Sequence, residues 1–146
     1  MKKYLFFAAA FVIFLFSCSL SRNNPLDPVF SGIYAPSVVE NIQVTRVNAT
    51  TSTIQWSIHD DEDVDGYYIT RSFHYHGEYP NDPPLNPPLK TVFSRTDTLY
   101  TDNTALYDGD NGIWSYYKMS AFKYVPDADA NIEGTRSGIR YHGDEY

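Results

Sequence analysis

Three groups of side chains in this 146-residue sequence could carry chemistry. The first is acidic. Asp60, Asp61, Glu62, Asp63 and Asp65 crowd together just before Gly66. The spacing Asp61-x-Asp63-x-Asp65-Gly66 opens like a calcium loop, which must close on a bidentate Glu at its twelfth position. Counted from Asp61, that position is Ser72. The run therefore reads as an acidic turn between strands. The second group is His74 and His76, which share a face if the segment is a strand. Two imidazoles can begin a zinc site, but four ligands are usual and none follows at a recognisable spacing. His142 and Asp144 could join them only through folding. No Gly-x-Ser-x-Gly string is present, and His59 and His142 stand at no spacing that suggests hydrolysis. The sequence predicts no catalytic residue, no metal and no cofactor.

The third group is tyrosine, 13 residues in all. Tyr68, Tyr75, Tyr79, Tyr107, Tyr116 and Tyr124 fall on the strand parity, or in the loops, expected outside the core. Tyrosine offers rigid contact area with a polar tip, which suits a protein partner or a sugar ring. Sheets also favour tyrosine with no ligand at all, through packing across the strands. Lys and Arg number 11 against 18 Asp and Glu, a net charge of −7. Such a chain lacks the basic footprint that neutralises phosphates, so no nucleic-acid partner is expected. The single cysteine excludes an internal disulfide framework and a cysteine-cluster metal site.

That cysteine ends a leader. Lys2-Lys3 precede an apolar run from Tyr4 to Phe16. The run is shorter than the roughly 20 residues a spanning helix needs, and fits the apolar region of a secretory signal. It closes with Leu15-Phe16-Ser17-Cys18, which resembles the bacterial lipobox, although Phe16 stands where a smaller residue is usual. The resemblance implies cleavage before Cys18, lipid attachment at Cys18, and a place in the bacterial cell envelope, with the outer membrane or cell surface preferred over the inner membrane. The implied partner is a membrane, reached through the lipid. Two or three acyl chains hold firmly, at about 0.8 kcal/mol per buried methylene. Loss of residues 1–17 would take the net charge from −7 to −9. An anionic surface would not attract that domain directly. In such a setting the Asn48-Ala49-Thr50 glycosylation pattern carries no weight.

Residues 18–35 read as a tether, with the turn signals Asn24-Pro25 and Asp27-Pro28. The string 24–28 looks like a segment found after the lipidated cysteine in bacterial surface lipoproteins. Phe30, Ile33 and Tyr34 allow an irregular strand on the domain edge instead. From Pro36 onward, short β-branched and aromatic runs alternate between turn signals. Val39–Val47 places Ile42 and Val44, with Arg46, on one parity. Thr51–Ile58 places Ile54, Trp56 and Ile58 on one face. Tyr67–Phe73 does the same with Tyr67, Ile69 and Phe73. Leu89–Phe93 and Thr96–Thr101 are shorter candidates. Ile113–Tyr124 is the longest, with Tyr117, Met119 and Ala121 together, and Gly134–Tyr141 closes the domain before a tail at 142–146. Pro80–Pro88 cannot be a central strand, because proline lacks the ladder donor. An insertion near 74–89 should form a stiff surface loop.

Six or seven antiparallel strands on this scale suggest an all-β, immunoglobulin-like sandwich. Asn41-Ile42-Gln43-Val44, Thr53-Ile54-Gln55-Trp56, Asp63-Val64-Asp65-Gly66-Tyr67-Tyr68-Ile69, Thr98-Leu99-Tyr100-Thr101-Asp102, Tyr117-Lys118-Met119-Ser120-Ala121 and Ser137 appear in that order. Together they resemble a fibronectin type III domain over residues 36–141. The family commonly has a corner tyrosine two residues before the position of Tyr117. Here Ser115 stands there, so the corner must be rebuilt by Trp114 or Tyr116, or the strand must bulge. The resemblance implies a non-enzymatic protein with a structural, adhesive or protein-binding role. The alternative is a carbohydrate-binding accessory module that uses exposed Tyr and Trp.

Overall fold

A computed structural model describes residues 34–78, 87–110, 112–141 and 144–145. Leader, most of the tether, Cys18, Tyr79, Pro80–Pro84 and His142 lie outside the described residues. Among the described residues, nine antiparallel strands form two sheets. The first holds β1 (Gln43–Asn48), β2 (Thr51–Gln55) and β5 (Leu99–Asp102), in the order β1-β2-β5. The second holds β3 (Gly66–Tyr75), β4 (Lys90–Val92), β6 (Ile113–Val125), β7 (Ala130–Glu133), β8 (Arg140–Tyr141) and β9 (Asp144–Glu145). Its order is β4-β3-β6-β8-β9, and β7 also pairs with β6. The architecture is the all-β antiparallel sandwich that the alternation predicts.

Period-two patterning decides which side chains meet between the sheets. Ile42 and Val44 of the first segment, Ile54 and Trp56 of the second, Tyr67 and Ile69 of β3, and Tyr117, Met119 and Ala121 of β6 form one buried cluster. The Trp56 ring lies edge-on to Tyr67, with centroids 5.3 Å apart. The Tyr67 hydroxyl donates to the Arg95 carbonyl at 2.9 Å and accepts the His59 amide at 3.0 Å. A core tyrosine thus ties down two connectors at the upper pole, where the chain enters through Tyr34–Ser37. Gly66 is required there. A Cβ at that position would run into the Val92 carbonyl and the Phe122 ring.

Three expected core positions are corrected. Arg46 is exposed, with its guanidinium 5.2 Å from the Tyr107 ring centroid. Ile58 is exposed because β2 ends at Gln55 and the chain leaves the sheet. Phe73 is exposed because β3 outruns the sheet that faces it. At roughly 3.3 Å per residue, β3 is about 30 Å long and β2 about half that.

The last strand also differs from an unbroken Gly134–Tyr141. β7 pairs with Phe122–Val125, and Tyr117 meets Arg140. Between them two backbone bonds join the lines, Gly134 N–H to the Ala121 carbonyl and Ser137 N–H to the Met119 carbonyl. The Ser137 hydroxyl accepts the Met119 amide at 3.0 Å, in the place of a strand carbonyl. This explains a buried serine on the final line. Beyond Tyr141 the chain continues into β9, which pairs back on β8.

Trp56 is 3% exposed at the centre of the main cluster. Trp56→Ala should destabilise the domain by about 3–5 kcal/mol, as large core truncations do. A urea titration gives the value, and a loss below about 1 kcal/mol would contradict the packing.

Candidate functional site

At the lower pole, where β3 ends and β6 begins, the inner face turns polar. Arg71 follows Tyr67 and Ile69 on the inward parity of β3. Its guanidinium reaches Asp102, the last residue of β5, at 2.5 Å. It also donates to the Thr104 carbonyl and hydroxyl, each at 2.8 Å. Asp102 further accepts the Tyr117 hydroxyl at 2.8 Å and the Thr104 amide at 2.9 Å. Ser52 lies between two tyrosines, 2.6 Å from the Tyr107 hydroxyl and 3.2 Å from that of Tyr117. Burial alone would raise the Asp102 pKa, but the bonds from Thr104, Tyr117 and Arg71 outweigh it and hold the carboxyl below its ordinary value. Burial pushes the Tyr117 and Tyr107 hydroxyls up, so both remain protonated. This arrangement locks the two sheets together, and each of its side chains has a partner within it. Sequence reasoning missed it. The available signal was a charged residue, Arg71, on a core parity, which demands an opposite charge across the sandwich.

The outer face of the long sheet carries a second apolar cluster of Ala105, Tyr107, Trp114, Tyr116 and Ile139, with Tyr141 packed against it. Parity places Tyr107 and Tyr116 outside the core, yet they are 3% and 0% exposed. Tyr116 packs against Tyr141, with ring centroids 5.2 Å apart, whereas Tyr107 reaches the facing sheet, where its hydroxyl meets Ser52 and Arg46 lies over its ring. The histidine pair belongs to the same cluster. His76 stacks on Trp114 at 4.1 Å, and His74 meets Tyr116 edge-on at 5.9 Å. The two imidazoles do share a face, and both pack on aromatic rings. His59 is likewise placed structurally. Its Nδ1 accepts the Asp61 amide at 3.1 Å, and its Nε2 lies 3.2 Å from the Ser37 carbonyl.

The missing corner tyrosine is rebuilt by two neighbouring side chains. The Ser115 hydroxyl accepts the Leu106 amide at 2.7 Å, and the Trp114 indole donates to the Gly109 carbonyl at 2.6 Å. β6 carries no bulge against β3, since the register runs unbroken from Gly66↔Phe122 to Tyr75↔Ile113.

The acidic turn is tied to β6. Asp61 pairs with Lys123 at 2.5 Å, and Asp65 accepts the Tyr124 amide at 2.6 Å. The Lys123 bond leads in holding the Asp61 carboxyl below its ordinary pKa. Ser72 sits inside β3, so the register places it away from the turn. Asn48 accepts the Thr50 amide at 2.9 Å and so caps the β1–β2 turn. Of the tyrosines expected outside, Tyr68 is half-buried and stacked on Phe122 at 4.5 Å. Tyr124 and Tyr75 are exposed. Tyr75 and Phe73 stand together on the inner-face parity of β3, beyond the facing sheet.

These contacts set two expected outcomes. Asp102→Ala would strand Arg71 and should cost about 3–5 kcal/mol, as breaking a buried pair does. Because the native pKa of Asp102 lies below its unfolded value, its contribution is present above that value and is lost as pH falls through the native one. Acid titration of stability should therefore show a fall below about pH 4 in the wild type that is shallower in Asp102→Asn. For the acidic turn, sub-millimolar calcium should leave the melting temperature unchanged, since any ligand of the native state must raise it. A rise abolished by Asp63→Asn would make the turn a cation site.

No family model matches the chain, and no curated protein matches it. Among solved structures, the chain is similar to one described as a myokine structure, at 12% identity and TM-score 0.42, over 75% of this chain and 100% of that one. It is also similar to a fibronectin type III domain of human collagen XX, at 13% identity and TM-score 0.40, over 75% and 99%. A third similarity is to titin kinase and its flanking domains, at 11% identity and TM-score 0.42, over 76% of this chain and 18% of that one. The fold assignment rests on strand order: a three-stranded sheet β1-β2-β5 faces the sheet built on β4-β3-β6, and the domain is fibronectin type III-like.

Proposed function

We propose that this chain is a lipid-anchored cell-envelope protein whose type III-like domain is a non-enzymatic, protein-binding module. One observation carries the binding role. The imidazoles and buried carboxylates described above are engaged in holding the fold, while Phe73 and Tyr75 stand 45% and 54% exposed at the pole opposite the chain's entry. Large exposed rings on a rigid strand give contact area at little entropic cost. The anchor reading rests on the Leu15-Phe16-Ser17-Cys18 string behind its apolar run.

Expression in a bacterium that processes lipoproteins, followed by detergent phase separation, tests the anchor. Wild type should enter the detergent phase and incorporate labelled palmitate, and Cys18→Ala should do neither. A Cys18→Ala protein that still partitions like wild type would overturn the anchor. Cross-linking of the anchored protein on intact cells, beside a glycan array probed with the soluble domain, tests the binding role. Specific cross-links to envelope proteins support it, and selective glycan binding without them would replace it with the carbohydrate reading.

A further inference from the structure

The lower pole carries more than two exposed rings. Ten consecutive residue pairs join β3 to β6, and the last of them lie beyond the facing sheet. Phe73 and Tyr75 are two apart on β3, so their side chains leave the same face about 7 Å from one another. Ile113, half-buried, is the direct cross-strand partner of Tyr75, and Ser115 is the partner of Phe73. Leu106, exposed, is held against Ser115 by backbone and hydroxyl bonds. These four apolar side chains form a shelf on the inner face of the overhang. Arg71 closes its upper margin with its guanidinium 4.6 Å from the Phe73 ring centroid, its charge already met by Asp102.

The turns that follow β3 and precede β6, next to the shelf, carry the acidic residues Glu78, Asp108 and Asp110. The Asp108 amide donates to the Ile113 carbonyl at 3.1 Å. The Glu78 amide donates to the Tyr75 carbonyl at 3.1 Å. The Asp110 carbonyl lies 3.0 Å from Nδ1 of His76. All three residues are exposed. An apolar patch rimmed by polar groups is the usual mark of an interaction site. Charge decides which occupant fits. A second copy would set one acidic rim against another. A bilayer with anionic lipids would repel the rim and the domain alike. The complementary occupant is a basic polypeptide segment that carries large apolar side chains.

We propose that the overhanging shelf of Phe73, Tyr75, Leu106 and Ile113 docks an extended, cationic segment of a partner protein, apolar on one side. Its apolar side chains lie on the shelf and its Lys or Arg side chains meet Glu78, Asp108 and Asp110. This proposal rests on the protein-binding reading and names the surface and the partner's chemistry. An extended strand repeats each face about every 7 Å, which matches the spacing of Phe73 and Tyr75. Complementary rim charge acts mainly on encounter and selectivity, and salt screens it.

The test uses the domain with a short synthetic peptide of alternating lysine and leucine, read by calorimetry. Glutamate–leucine and lysine–serine peptides serve as controls, together with phosphatidylglycerol vesicles. The lysine–leucine peptide alone should bind, and more weakly at high salt. Phe73→Ser/Tyr75→Ser leaves the net charge unchanged and should weaken it at least about tenfold, the effect of losing roughly 1.4 kcal/mol. Asp108→Asn/Asp110→Asn should weaken it less. Phe93→Ser removes a ring that is 79% exposed near Phe122, at the far end of β3 from the shelf, and should change nothing. Equal melting temperatures verify that the variants fold. Equal binding by wild type and Phe73→Ser/Tyr75→Ser, or preference for vesicles, would overturn the shelf. If cell-surface cross-links nevertheless persist, the protein-binding role stands at another surface. If wild type yields neither peptide binding nor cross-links, the binding role itself fails.

Discussion

The pairing of β3 with β6 is the constraint on which the rest of this domain depends. Its register holds over ten residues without a bulge. A slip by one residue would turn the faces of one strand over relative to the other. That mismatch would be costly on either side. Tyr67, Ile69, Tyr117 and Met119 fill the sandwich interior, and Trp114, Tyr116 and Phe122 are buried on the outer face. A β6 with only one apolar face would leave the outer layer of the sheet to solvent. Here both faces specify the same alignment, so the aromatic content is a structural requirement before it is a functional surplus.

The ladder also explains why the sandwich changes character along its length. Near the upper pole the two sheets face each other, and the interior is apolar. Lower down the facing sheet runs out, and its last inward residue is Asp102. Arg71, Tyr117, Ser52 and Tyr107 close that boundary with bonds directed from both sheets. Polar groups at a boundary lose less hydration than they would at the centre. The two charges nevertheless meet each other, so neither is left without a partner. Past this seam the ladder continues alone, and the same parity that made a core above makes an exposed shelf below.

Much of this could be read in the sequence, for an identifiable reason. Wherever burial follows from local alternation, the expected faces are the observed ones, as at Ile54, Trp56, Tyr67, Ile69, Tyr117 and Met119. The failures share another cause. Phe73 continues a perfect alternation, but alternation does not report how long the opposite sheet is. Tyr116 is buried against Tyr141, and Tyr107 against Ser52 and Arg46 of the facing sheet, long-range contacts that no local pattern encodes. Ser115 resembles a lost corner residue, whereas its hydroxyl and the neighbouring indole divide the corner's bonds between them. The Asp102 network required matching an odd charge on one strand with another far along the chain. Cys18 is legible only as a motif, and it lies outside the described residues.

The interrupted last line of the long sheet has a further consequence. An exposed, regular edge is a template on which other chains can add by hydrogen bonding. β6 would present such an edge had it no neighbour. Its neighbour is instead short at both ends and irregular between Gly134 and Ile139, where the Ser137 hydroxyl occupies a position that a ladder carbonyl would otherwise hold. β6 is thereby covered without a new uninterrupted edge being created beside it. That irregularity is a safeguard against sheet-to-sheet polymerisation, and straightening it into a continuous strand would trade solubility for regularity.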